Sequence, residues 1–130
     1  MKNPFIYLFV AVMSVLSFTS CSSDDDKGTV SKSREIKYEL TGNTTATDMS
    51  VVYTTNGGGT NADVTSLPWT YNFTADSDTY GGGFSFSATD AEPGEKVTLS
   101  VYQGTTKLKS LEATADSDGI IVASVNAVFN

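Results

Sequence analysis

Arg34-Glu35-Ile36-Lys37-Tyr38-Glu39-Leu40-Thr41-Gly42 is the stretch that decides the fold. Ile36, Tyr38 and Leu40 fall on one parity, and Lys37, Glu39 and Thr41 on the other. Successive side chains of a strand point to opposite faces, so this is a strand with one face buried and one in water. Gly42-Asn43 closes it with two residue types that favour turns.

The same period recurs along the chain. A second strand is expected over 46–55, with Met49, Val51 and Tyr53 one way and Ser50, Val52 and Thr54 the other. Asn56-Gly57-Gly58-Gly59 is expected to break it, because consecutive glycines are costly to order in a strand interior. In a third strand over 66–74, Trp69, Tyr71 and Phe73 alternate with Thr70, Asn72 and Thr74, which directs three rings at the core. Pro68 lacks an N–H and belongs at a strand start or an edge. Ala75-Asp76-Ser77-Asp78 and Gly81-Gly82-Gly83 read as the next connection. Phe84, Phe86 and Ala88 then alternate with Ser85 and Ser87 in a fourth strand, before a turn centred on Pro93-Gly94. Val97, Leu99 and Val101 point inward in a fifth. Gln103-Gly104 turns into a sixth over 106–115, where Leu108 and Leu111 are three apart; the period slips there and predicts a bulge. Asp116-Ser117-Asp118-Gly119 reads as a hairpin turn. The last strand, 120–129, is apolar on both parities and is expected to lie central in its sheet or covered on both faces.

Short strands with turn signals every few residues, and no helical period, predict an all-β domain over 34–130. The expected form is an antiparallel, immunoglobulin-like β-sandwich of about seven strands. The ring-rich third strand sits where such a fold places its core tryptophan, although no cysteine pair accompanies it. The composition agrees: 130 residues suit one domain, with 11 glycines, 18% charged residues, one cysteine and no histidine. Without histidine the chain lacks the usual general base at neutral pH and the commonest metal ligand.

Upstream of the domain the chain changes character. Lys2 precedes an apolar run from Phe5 to Phe18, too short for a spanning helix, which needs about 20 residues, and suited to a signal peptide over 1–20. The run ends in Phe18-Thr19-Ser20-Cys21, which resembles a bacterial lipobox. The resemblance implies diacylglyceryl attachment to Cys21, cleavage before it and acylation of its new amine. Two or more acyl chains hold a protein stably on a membrane, since each buried CH2 contributes about 0.8 kcal/mol. Cys21-Ser22-Ser23-Asp24-Asp25-Asp26 resembles the start of Bacteroidota-type lipoproteins. That likeness implies a lipid-anchored outer-membrane protein exposed at the cell surface, with a periplasm-facing anchor as the alternative. Residues 21–33 then form a solvated acidic tether expected to be disordered. Losing Lys2 takes the net charge from −7 to about −8, which argues against nucleic acid and against electrostatic docking on anionic lipid.

Within the domain, Ala75-Asp76-Ser77-Asp78 and Ala115-Asp116-Ser117-Asp118 repeat a motif. Asp76, Asp78, Asp116 and Asp118 are candidate Ca2+ ligands, but the spacing does not match an EF-hand and turn formation is the better account of Asp and Ser there. Tyr80, in a glycine-rich loop, and Tyr102, with outward parity, are candidate ligand contacts. Neither glycine triplet precedes a helix or a Lys, as a phosphate loop would require. No Ser-His or Cys-His pair is available, so no catalytic residue and no cofactor is assigned, and the protein is expected not to be an enzyme.

Lys37-Tyr38-Glu39-Leu40-Thr41-Gly42, Ser50-Val51-Val52-Tyr53 and Leu67-Pro68-Trp69 resemble the soluble domain of the MmpS family of small mycobacterial membrane proteins. This implies a small β-sandwich that assists a large envelope exporter of the MmpL/RND type. The chain departs from that family in its lipid anchor and its lack of later cysteines. The leading expectation is a non-catalytic, lipid-anchored envelope module that binds a protein or a glycan, or serves as an accessory. An exporter subunit is the alternative, and a small hydrolase is the third reading.

Overall fold

The computed structural model describes residues 32–130, which form a compact unit of eight strands and no helix. The expected signal peptide, Cys21 and most of the expected tether lie outside the described residues. The strands are β1 (Glu35–Gly42), β2 (Met49–Thr55), β3 (Gly58–Asp63), β4 (Trp69–Thr74), β5 (Gly81–Ala88), β6 (Lys96–Gln103), β7 (Thr106–Thr114) and β8 (Ile121–Val128). They make two four-stranded sheets, ordered β4-β1-β6-β7 and β3-β2-β5-β8, antiparallel at every pairing. The chain is a small all-β sandwich.

The core follows from the alternation. In β1, Ile36, Tyr38 and Leu40 are buried; opposite them on β6 stand Gln103, Val101 and Leu99. The second sheet contributes Met49, Val51 and Tyr53 opposite Ala88, Phe86 and Phe84, with Ile121, Ala123 and Val125 of β8 beyond. Each fully buried aliphatic or aromatic side chain of this set stabilises the fold by roughly 1.5–3 kcal/mol. The Tyr38 hydroxyl satisfies itself inside by donating to the Thr54 carbonyl at 2.8 Å.

Four features differ from the expectation. The strands number eight, because Gly58 and Gly59 do not end the sheet: β2 pairs with β3 across Asn56-Gly57, Thr55 facing Gly58. Gly58 takes φ +114°, a conformation only glycine adopts easily, and β3 is an exposed edge strand that needs little packing. Gly81-Gly82-Gly83 are not a connection but the first half of β5, paired with Val128, Ala127 and Asn126. The Asp116–Gly119 turn is not a hairpin, since it carries the chain from β7 in one sheet to β8 in the other. Finally, β8 is an edge strand with one face in water, where Val122 and Val128 are 75% and 73% exposed. Its apolar outward residues therefore do not mark a doubly covered strand.

The ring stripe of β4 is also only partly as expected. Trp69, Tyr71 and Phe73 point inward opposite Leu40, Tyr38 and Ile36, but β4 is an edge and all three rings are half-buried. The slipped period in β7 does mark a bulge: Val101 faces Lys109 and Tyr102 faces Lys107, leaving Leu108 as the extra residue.

Candidate functional site

The loops divide between two ends of the sandwich. Ser33, the β2–β3 turn, the β4–β5 loop and the β6–β7 turn meet at the end where β1 begins. The β1–β2, β3–β4, β5–β6 and β7–β8 connections gather at the other. At the first end, buried Gln103 donates from Nε2 to the Ser33 carbonyl at 2.7 Å and the Asn130 carbonyl at 2.8 Å, and its Oε1 accepts from the Asn130 N–H. Arg34 donates to the carbonyls of Ala75, Asp76 and Thr79. Asn56 bridges the same loop, donating to the Thr74 carbonyl and accepting from the Asp76 N–H. The segment leading into β1 is thus fastened at one end of the domain by side chains to which the sequence alone assigns no role. An isolated Arg, Asn or Gln in a β domain carries no periodic signal of such a role.

The candidate Ca2+ ligands are not brought together. Asp76 and Asp78 belong to the loop at the end where β1 begins, whereas Asp116 and Asp118 lie at the opposite end. Asp116 accepts the N–H groups of Asp118 and Ile120 at 2.9 Å each, which is turn chemistry. No group of three or more His, Cys, Asp or Glu able to hold a metal occurs among the described residues.

Tyr80 and Tyr102 are likewise separated. Tyr80 precedes β5, is 69% exposed and holds the Phe129 N–H through its carbonyl. Tyr102 lies on the outer face of the other sheet, where its ring is covered by the Lys37 ammonium at 4.2 Å and approached by Lys107 at 5.5 Å. Its hydroxyl donates to Glu39 at 3.1 Å, and Lys37 pairs with the same carboxylate. The Lys37 hydrogen bond, with that of Tyr102 and against some burial, holds Glu39 below the usual carboxylate range. Tyr102 is therefore engaged by its own neighbours, and Tyr80 remains the more accessible ring.

At the far end, carboxylates do structural work. Asp90 accepts the Thr47 hydroxyl and the N–H groups of Thr47 and Asp48. The hydroxyl contact first, then the backbone donors, lower its pKa. Glu95 accepts from Thr44, Thr45 and the Glu92 N–H. Desolvation opposes ionisation there, yet the Thr45 N–H and the other donors together hold its pKa down. Both groups clamp the β1–β2 loop to the β5–β6 loop and are poorly suited to carry protons near neutral pH.

Aromatic rings cluster along the seam beside β4. Trp69 and Tyr71 lie nearly parallel, 13° apart with centroids at 6.5 Å, and Tyr53 packs 4.3 Å from Tyr71. Half-buried rings in a row, on an edge strand, offer stacking faces to a ligand while their inner sides hold the core. The fold and this surface define a small β-sandwich with an aromatic edge. The chain matches no family model, no curated protein and no solved structure.

Proposed function

We propose that this protein is a non-catalytic, lipid-anchored module of the bacterial envelope that binds a glycan or protein partner. The observation that carries the reading is the Leu16–Asp26 stretch, in which an apolar run ends at the sole cysteine and gives way at once to Ser-Ser-Asp-Asp-Asp. The tether end supports it: Gln103 and Arg34 fix the first described residues, so a pull on the anchor is borne by a buried hydrogen-bonded cluster and not by a free loop. The aromatic edge of β4 supplies the contact surface in this reading, and the outer membrane is its location.

Replacing the anchor cysteine tests this. In the full chain expressed in a Gram-negative host, Cys21→Ser is expected to move the protein from the membrane fraction to the soluble fraction and to abolish incorporation of labelled palmitate. A Cys21→Ser chain that stays in the membrane, or a parent chain that takes up no palmitate, would overturn the reading.

A further inference from the structure

Four strands end the two sheets: β4 and β7 in one, β3 and β8 in the other. Three of them carry features that discourage pairing with another chain. β7 has the bulge at Leu108 together with Lys107, Lys109 and Glu112. β3 opens on two glycines and closes on Asp63, and Pro68 stands immediately before β4. β8 has none of these. Ile121-Val122-Ala123-Ser124-Val125-Asn126-Ala127-Val128 holds no charge, no proline and no glycine, in a chain of net charge −7. β7 passes β8 without forming a ladder with it. A groove of about 470 Å3 opens between them, bounded by Leu108 and Lys109 on one side and Asn126, Ala127, Val128 and Asn130 on the other.

The ladder with β5 says which groups are free. Phe129 donates its N–H to the Tyr80 carbonyl, in register with Val128 opposite Gly81. In an antiparallel ladder a residue's N–H and C=O point to the same side. The odd-numbered residues of β8 therefore bond β5, and Val122, Ser124, Asn126 and Val128 turn their backbone groups to the open edge. Their side chains all lie on the outer, exposed face.

The sequence here is close to a palindrome about Val125. Ile121 mirrors Phe129, Val122 mirrors Val128, Ala123 mirrors Ala127 and Ser124 mirrors Asn126. A two-fold interface presents the same patch on both subunits, so it requires this kind of self-complementarity. We propose that β8 pairs antiparallel with β8 of a second copy of this chain, on a two-fold axis through Val125, joining two four-stranded sheets into one of eight strands.

This register sets Val122 against Val128 of the second copy, so the exposed valines cover each other. It places free donors opposite free acceptors, because each even-numbered residue faces an even-numbered residue of the second copy. It also brings the Asp116–Asp118 turn of one copy toward the end of the ladder where Lys109 of the other lines the groove. Other occupants, such as an extended peptide of unrelated sequence, would use the hydrogen bonds but not the mirror order of the side chains. Pairing through one eight-residue edge is expected to be weak in dilute solution and to strengthen when copies are confined together. The proposal goes beyond the envelope reading and does not rest on it.

Two full-length copies carrying different tags, one Val122→Cys and one Val128→Cys, are co-expressed and oxidised, and the linked peptides are identified by mass. The expected product joins position 122 of one copy to position 128 of the other. It should exceed the 122–122 and 128–128 products by about tenfold, since those pairs stand roughly 20 Å apart in this register, too far for a disulfide. Because each linkage is read from its own peptides, a reactive Cys21 would appear as a separate product, bearing on the anchor and not on β8. Ser124→Lys in both copies places a charge on the outward side of the strand and is expected to abolish the 122–128 linkage while leaving the Trp69 fluorescence unchanged. Absence of the 122–128 product, three products in statistical proportion, or persistence of the linkage with Lys at position 124 would each overturn the proposal.

Discussion

At Gly82 the backbone leaves no room for a side chain. A Cβ there would stand 2.6 Å from the Tyr38 hydroxyl and 2.7 Å from Thr54 Oγ1. Gly83 is tighter still, with the Val125 carbonyl oxygen at 2.0 Å from such a Cβ. The glycines of this triplet are therefore strand residues because neighbours press on them, and glycine is retained despite its entropy cost. Gly82→Ala is expected to destabilise the domain by about 1–3 kcal/mol through overpacking. Tyr38→Phe removes the nearest atom, and alone it costs about 1 kcal/mol by losing the bond to the Thr54 carbonyl. Combined, the two substitutions should cost less than their sum, because the second relieves the nearer of the two contacts made by the first and leaves only that with Thr54 Oγ1. Urea unfolding midpoints of the four proteins measure the coupling, and strict additivity would show that the hydroxyl is not what excludes a side chain. None of this is legible in Gly81-Gly82-Gly83 as letters. Glycine's intrinsic dislike of strands points to a loop, and only the packing of β1 and β8 against β5 reverses the sign.

Among the elements, the strands whose two parities differ in polarity were legible, and those without that contrast were not. β1, β2, β6 and the Phe84–Ala88 part of β5 alternate in polarity and lie where the alternation puts them. β3 has no apolar face to announce it, and its pairing comes from Asn56-Gly57 acting as a hairpin turn. β8 looked buried on both sides because valine alternates with alanine and valine; its outward valines say nothing about sheet order. The candidate site fared similarly. Exposure at Tyr80 could be read from the surrounding glycines, but the cover over Tyr102 comes from Lys37 and Lys107 on two neighbouring strands. Loop clamps were invisible for the same reason, since Asp90 and Thr47 are distant in sequence. They give a pH signature. The pKa values of Asp90 and Glu95 are lowered on folding, so the stability they contribute is complete above their unfolded pKa of roughly 4 and is lost as pH falls through the folded values. Melting temperature should hold steady from pH 7 to about 5 and drop below about 4. Asp90→Asn with Glu95→Gln should lower the neutral-pH value and flatten the acid limb. An acid limb as steep in the double variant as in the parent would place the titration elsewhere.

Across the molecule, charge is divided unevenly between the two ends. The far loops and adjoining strand ends carry Asp48, Asp63, Asp90, Glu92, Glu95, Glu112, Asp116 and Asp118 against Lys96 alone, eight negative charges to one positive. The end where β1 begins carries Lys32, Arg34, Lys37, Lys107 and Lys109 against Glu35, Glu39, Asp76 and Asp78, five positive charges to four negative. A chain held by Cys21 over an anionic surface would feel repulsion mainly at its far end, and its slightly positive end is the one nearer the anchor in sequence. Both effects would turn the domain upright within the reach of a screening length of about 8 Å at physiological salt. With Cys21 as an anchor, the charges of Asp24, Asp25 and Asp26 beside it would add to the repulsion from an anionic surface. Single-cysteine labels on the lipidated chain in anionic vesicles measure this orientation. Thr105→Cys marks the β6–β7 turn at the tether end, and Ser117→Cys marks the β7–β8 turn at the far end; both residues are exposed. An eight-residue strand rises about 3.3 Å per residue, so the far label stands roughly 25 Å higher when the domain is upright. Energy transfer to a dye in the bilayer should be clearly weaker from position 117 than from position 105, and the difference should shrink in high salt as repulsion is screened. Equal transfer at low salt would mean that the sandwich lies on its side. The half-buried rings of β4 or the open edge of β8 would then face the membrane, and the edge turned that way could not meet a partner arriving from solution.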